Sequence, residues 1–100
     1  MMANHTFIEN VHTGKTYRFL LPKNQLFWNC HYGHFGCEVE KVKQIDLLVK
    51  DRTNVVIVIL DIKCLGNKFY NKFYWYKLLI PETLQVVWFS PIAKFDVLKC

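Results

Sequence analysis

A ten-residue segment, 68–77, combines aromatic rings and cations at a spacing that suits nucleic-acid binding. It holds six aromatic residues and three lysines. In a β-strand, side chains alternate between two faces. One face would carry Phe69, Asn71, Phe73 and Trp75, and the other Lys68, Tyr70, Lys72, Tyr74 and Tyr76. The second face alternates lysines with tyrosines, as do surfaces that neutralise phosphates and stack bases.

The first hypothesis is therefore a small basic domain that binds RNA or DNA through this Lys/Tyr face. Each stacked base would contribute about 1–3 kcal/mol, and the formal net charge of +5 favours an anionic partner. Lysine greatly outnumbers arginine, which favours point contacts with phosphate over bidentate reading of bases. We expect low sequence specificity. The predicted nucleic-acid-binding residues are Lys68, Tyr70, Lys72, Tyr74, Tyr76 and Lys77.

The second hypothesis is a protein–protein interaction or structural module that self-associates through its aromatic β surface. Hydrophobic residues make up 52% of the chain and aromatic residues 16%, whereas a domain of 100 residues has little interior in which to bury them. Segment 55–64 is apolar on both faces of a strand, so both faces need cover. A twofold homodimer would supply it, and the tyrosine face would then be an interface or part of the core.

A second group of residues, Cys30, His34 and Cys37, has the spacing of metal ligands. The three lie within eight residues that include two glycines, so the loop could wrap a tetrahedral zinc ion. His31, Cys64 or Cys100 would be the fourth ligand. The spacing lacks the paired C-x2-C motifs of structural zinc sites, and the alternative is a tight turn with buried cysteines and exposed histidines. No other cofactor is expected.

The sequence contains no motif that indicates catalysis. It has no glycine-rich phosphate loop, no nucleophile elbow, no H-E-x-x-H motif and no pair of carboxylates in a familiar frame. Its acidic residues are scattered along the chain. We therefore expect that the protein is not an enzyme.

Turn signals divide the chain into short strands. Segments 6–11 and 16–21 flank Gly14, which predicts a β-hairpin. Segment 55–64 predicts the most secure strand, and 68–80 would return antiparallel after a loop at 65–67. That loop would place Ile59 opposite Phe73 and Ile57 opposite Trp75. A further strand is predicted at 84–89.

Two segments are ambiguous. Residues 37–51 could form a helix with an apolar stripe, or a strand at 44–50 followed by a turn at 51–54; the turn chemistry favours the strand. The end of the chain, 91–99, could form a short helix after Pro91 or a strand at 94–99.

These elements predict a single domain, 1–100, of the mostly β class. We expect a small antiparallel barrel or sandwich of six to seven strands with room for one short helix. The alternative is an α+β fold with a helix at 37–50. The predicted core comprises Trp28, Trp75, Trp88, Phe73, Phe89, Ile57 and Ile59.

The sequence also suggests where the protein acts. The N-terminus lacks the pattern of a signal peptide, and the longest aliphatic run has six residues, whereas a membrane-spanning helix needs about 20. We expect no membrane partner and an intracellular protein of the cytoplasm or nucleus, with its cysteines as thiols or metal ligands. The abundance of Lys, Asn, Phe and Tyr indicates an AT-rich genome, such as that of a virus, a phage or an AT-rich microbe.

Overall fold

Six antiparallel strands form one sheet in the computed structural model, which describes residues 5–31, 42–65, 73–91 and 96–99. The order across the sheet is β1-β6-β2-β3-β4-β5, and the sheet is open. A short 3-10 helix, Ile8–Asn10, follows the first strand. The strands are β1 (His5–Phe7), β2 (Thr16–Phe19), β3 (Val55–Leu65), β4 (Phe73–Ile80), β5 (Gln85–Phe89) and β6 (Asp96–Lys99). The predicted mostly β, antiparallel class is confirmed.

The segment 42–50 is extended, so the described part of the alternative helix at 37–50 does not form. Ile45, Leu47 and Val49 pack against the core in the alternation expected of a strand. The segment forms few backbone hydrogen bonds with neighbouring segments. In one of them, the Ile45 N–H donates to the Phe27 carbonyl at 2.8 Å. Beyond that point, the Leu48 N–H donates to the Gln85 side chain at 3.0 Å. Side-chain acceptors thus replace the regular strand pairing that the sequence favoured.

The predicted N-terminal hairpin is wrong. β1 pairs with β6, and β2 lies between β6 and β3. The 3-10 helix buries Ile8 and interrupts the first segment directly after Phe7, and β6 separates β1 from β2 in the sheet. Gly14 does supply the expected turn, with φ of +82°, and its N–H donates to the Ile59 carbonyl at 2.7 Å.

The predicted register of β3 and β4 is also wrong. Ile59 lies opposite Leu78 and not Phe73, and Leu65 lies in β3 opposite Phe73, so the loop is not at 65–67. A bulge between Ile59 and Asp61 shifts the pairing further. In the observed register the buried isoleucines of β3 lie opposite the aliphatic C-terminal end of β4. In the predicted register they would have lain opposite Phe73 and Trp75, and the aliphatic end of β4 would have had no partner.

The inner face of the sheet builds the core, which the extended loops close. Of the predicted core residues, five are buried. Ile57, Ile59 and Phe89 lie on the inner side, whereas Trp75 and Trp88 point to the outer side and lie outside the main cluster. Trp28 is half-buried, and the side chain of Phe73 lies outside the described residues. Each fully buried large side chain stabilises the fold by about 1.5–3 kcal/mol. The main cluster is Ile8, Val11, Tyr17, Phe19, Leu21, Phe27, Val55, Ile57, Ile59, Tyr76, Leu78, Ile80, Val87, Phe89 and Val97.

One buried polar side chain, Gln25, joins the loop after β2 to the end of β5. Its Nε2 donates to the carbonyls of Leu26 and Ser90, each at 3.0 Å. Next to it, Trp28 and Trp88 exchange two backbone hydrogen bonds of 2.8 Å. These bonds fix the segment 25–28 beside β5, where it extends the sheet by an isolated bridge.

Candidate functional site

The predicted Lys/Tyr face is described only at its C-terminal end. Lys68, Tyr70 and Lys72 lie outside the described residues. The remaining three, Tyr74, Tyr76 and Lys77, belong to β4. Their side chains do not share one exposed surface.

Tyr76 belongs to the core, contrary to the expectation of an exposed stacking tyrosine. Only 3% of its surface is exposed, and its ring centroid lies 5.5 Å from that of Phe89. Burial raises the pKa of Tyr76 to about 12. Its position alternates in phase with the fully buried Leu78 and Ile80. Tyr76 cannot stack on a base while the sheet is folded.

Tyr74 is 44% exposed and lies on the same side of β4 as Tyr76, beyond the edge of the core. It pairs with Cys64 of β3 across the sheet. A side-chain hydrogen bond with Cys64 raises the pKa of Tyr74. Cys64 itself is a free, exposed thiol. Tyr74 is therefore the one described tyrosine of the predicted set that a base could reach.

Lys77 points to the opposite, outer side of the sheet. It lies across from Asp61 on β3 and from Trp88 on β5. Its Nζ is 5.9 Å from the centroid of a Trp88 ring, a cation–π distance. On the same side, Lys63 forms an ion pair of 3.8 Å with Asp61. The outer side therefore carries charges of both signs close to the indole of Trp88.

The predicted metal ligands are not brought together in the described part of the chain. Cys30 forms a disulfide whose partner lies outside the described residues, and a disulfide sulfur cannot act as a thiolate ligand. The expectation of free thiols is thus wrong for Cys30 and right for Cys64. His34 and Cys37 are not described. Within the described ranges, no three His, Cys, Asp or Glu side chains cluster in a way that could hold a metal ion.

His31, weighed as a fourth ligand, packs instead against an indole. Its ring centroid lies 4.7 Å from that of Trp88. Burial lowers the pKa of His31, and the nearby charge of Lys63 lowers it further. The neutral imidazole is therefore favoured, and it covers part of the outer surface of Trp88.

The outer side of the sheet carries an apolar row that is not among the predicted binding residues. Val58 pairs with Leu79, and Leu79 pairs with Val86, so the three side chains are in line across β3, β4 and β5. Val56 is the next outer residue of β3. Val56 is 36% exposed and Val86 is 45% exposed. We call these four residues, Val56, Val58, Leu79 and Val86, the outer apolar row.

The signal for this row was present in the apolar run of β3. The inner residues Val55, Ile57 and Ile59 are buried, whereas the outer residues of the same strand remain partly exposed. A strand that is apolar on both faces normally has cover on both. In β3 only the side chains on the inner side are fully covered.

Comparison with known proteins finds no family model that matches the chain, and no curated protein or solved structure that is significantly similar to it. Across the described residues, no helix has the length and hydrophobicity needed to cross a membrane.

Proposed function

We propose that this protein is an interaction module that self-associates by packing its outer apolar row against that of a second copy. One observation carries the proposal: the row is continuous across three neighbouring strands, yet Val56 and Val86 keep a large part of their surface exposed. Large contiguous apolar patches on soluble proteins usually mark interaction sites.

The size of the outer face suits such an interface. The six strands contain 35 residues; at about 3.4 Å per residue and about 4.8 Å between strands, their outer side covers roughly 570 Å². This area is somewhat below the roughly 800 Å² that each partner contributes to a specific complex. A sheet-on-sheet contact would thus use most of this face.

The charges beside the row favour a second copy as the partner. Asp61, Lys63 and Lys77 lie on the outer side, so one face carries both signs. In a twofold interface each patch meets itself. A face of one sign would repel its copy, whereas a mixed face allows Asp61 of one protomer to approach a lysine of the other.

Light scattering over a range of protein concentrations tests the proposal. The wild-type protein should change from monomer to dimer as its concentration rises. Val86→Glu should weaken the association at least tenfold, because it introduces a charge that the interface would desolvate. Leu48→Glu is the matched control: Leu48 is 71% exposed and lies outside the sheet, so this variant should associate like the wild type.

A strict monomer at every accessible concentration would contradict the proposal. So would equal weakening by the two glutamate variants, because a loss of association at Leu48 would point to general charge effects. Circular dichroism of both variants would establish that the sheet is retained before either result is interpreted.

A second candidate function is the weak binding of single-stranded nucleic acid of low sequence specificity. The supporting observation is the exposed ring of Tyr74, in a protein with a net charge of +5. Anisotropy titrations with labelled DNA and RNA oligonucleotides test it at several salt concentrations. Tyr74→Ala should weaken binding by about 1–3 kcal/mol, and added salt should weaken it steeply. Absence of binding at low salt would exclude this function.

A further inference from the structure

A cavity of about 330 Å³ lies between the loop after β2 and the extended segment 42–50. No residue of the outer apolar row lines it. Its volume is at the lower end of the range for small-molecule sites. Its lining includes two cationic side chains, Lys23 and Arg52, and the apolar side chains Leu26, Phe27 and Ile45. The cavity therefore combines charge with an apolar wall.

The guanidinium of Arg52 is held in place by two contacts with that loop. Its Nη2 donates to the Gln25 carbonyl at 3.0 Å, and its central carbon lies 5.6 Å from the centroid of the Phe27 ring. The Arg52 carbonyl accepts a hydrogen bond of 3.1 Å from the Leu21 N–H. A guanidinium fixed in this way loses little conformational freedom when it binds a ligand.

The two cations of the cavity have no carboxylate at ion-pair distance anywhere in the described ranges. Asp46 also lines the cavity, but it is exposed and does not pair with Arg52 or Lys23 at that distance. Arg52 is partly buried, so its charge is incompletely hydrated. An anion in the cavity would provide the charge-assisted hydrogen bonds that Arg52 lacks.

From these observations we infer that the cavity binds a small organic anion. Its phosphate or carboxylate group would lie between Arg52 and Lys23, and its apolar body would lie against Leu26 and Ile45. The guanidinium retains donors that the Gln25 carbonyl does not use, and its planar fork suits two oxygens of one anionic group. This ligand site is independent of the proposed self-association, since no residue of the outer apolar row lines the cavity.

Three probes with the same phenyl body distinguish the anion types. Phenyl phosphate, benzoate and neutral benzamide are titrated into uniformly ¹⁵N-labelled protein, and amide shifts are followed by NMR. At least one anion should bind saturably, with shifts at the cavity, and should bind at least tenfold more tightly than benzamide. A preference for phenyl phosphate would indicate a phosphorylated ligand, and a preference for benzoate a carboxylic acid.

Charge-removing variants locate the site. Lys23→Gln and Arg52→Gln should each weaken anion binding about tenfold or more, because each removes a charge-assisted hydrogen bond to the anion. Lys15→Gln removes the same charge from an exposed turn outside the cavity and should leave the affinity within twofold. If Arg52→Gln fails to fold, Lys23 decides the question, because its exposed side chain makes no hydrogen bond or ion pair within the described ranges.

Three results would overturn the inference. The first is the absence of saturable binding by both anions at millimolar concentration. The second is an equal effect of Lys15→Gln and Lys23→Gln, and the third is equal binding of benzamide and the anions, because each would show that the two cations of the cavity do not select the ligand. Light scattering of Lys23→Gln should still match the wild type, so failure here leaves the proposed self-association untouched.

Discussion

Leu79 of β4 lies directly opposite Val86 of β5 on the outer side of the sheet, whereas their neighbours Leu78 and Val87 form the adjacent pair on the inner side. Leu78 and Val87 are fully buried, while Val86 keeps 45% of its surface exposed. Two neighbouring residue pairs of β4 and β5 therefore have opposite environments. The inner pair stabilises the monomer, and the outer pair is available for association.

This asymmetry predicts different costs for two leucine truncations in β4. Leu78→Ala should lower the free energy of unfolding by about 2–5 kcal/mol, because it opens a cavity in the core. Leu79→Ala should cost less, about 1–2 kcal/mol in dilute protein, because Leu79 is only half-buried and loses less buried surface. Urea unfolding at low protein concentration measures both. Equal costs would mean that the outer side is as well packed as the inner side.

Burial of Tyr76 makes stability depend on pH in the alkaline range. Its pKa is raised from the ordinary 10.0 to about 12, so the neutral phenol is favoured in the folded state. The contribution is fully present below pH 10 and is lost as the pH rises from about 10 through about 12. Tyrosinate absorbance should show a late-titrating signal that is lost in Tyr76→Phe. If that variant titrates like the wild type, Tyr76 is not the buried group.

The side chain of Gln25 should contribute to stability by joining the loop after β2 to β5. Gln25→Ala removes donors from the carbonyls of Leu26 and Ser90 and should cost about 1–3 kcal/mol. Asn24→Ala, at the exposed neighbouring position, should change stability by less than about 0.5 kcal/mol. Thermal unfolding of the two variants tests this difference. Similar melting temperatures would show that the Gln25 hydrogen bonds contribute little.

The disulfide of Cys30 predicts sensitivity to reductants. Reduction, or Cys30→Ser, should lower the free energy of unfolding by about 2–4 kcal/mol, because the unfolded chain gains conformational freedom. The control Cys64→Ser changes a free, exposed thiol and should keep the full reductant response of the wild type. A protein whose unfolding is indifferent to dithiothreitol would lack this disulfide in solution.

Local patterns were enough to predict the class of the fold and much of its core. The alternation through Val55, Ile57 and Ile59 identifies the inner side of β3. The turn at Asp51 forms as its residue types indicate, and the Asp51 carboxylate accepts a hydrogen bond of 2.9 Å from the Thr53 N–H. Both features depend on residues close in sequence. The pairing of β1 with β6 joins opposite ends of the chain, and no local pattern encodes it.

The misassigned tyrosine has a more specific cause. Read within 68–77 alone, Tyr76 belongs with the lysines. Counted onward by twos, it belongs with Leu78 and Ile80, and burial follows that longer pattern. The bulge between Ile59 and Asp61 could not be predicted in this way, because no residue type in this part of β3 marks a backbone irregularity. The outer apolar row could have been inferred from β3, but its alignment with Leu79 and Val86 required the register.

The most direct test of self-association is an isotope-filtered NMR experiment on a mixture of labelled and unlabelled protein. It detects methyl contacts between copies and no contacts within one. We predict intermolecular contacts among the methyl groups of Val58, Leu79 and Val86, the three residues aligned across the sheet. Intermolecular contacts confined to other exposed residues, such as Leu48, or none at concentrations where light scattering is measured, would contradict this prediction.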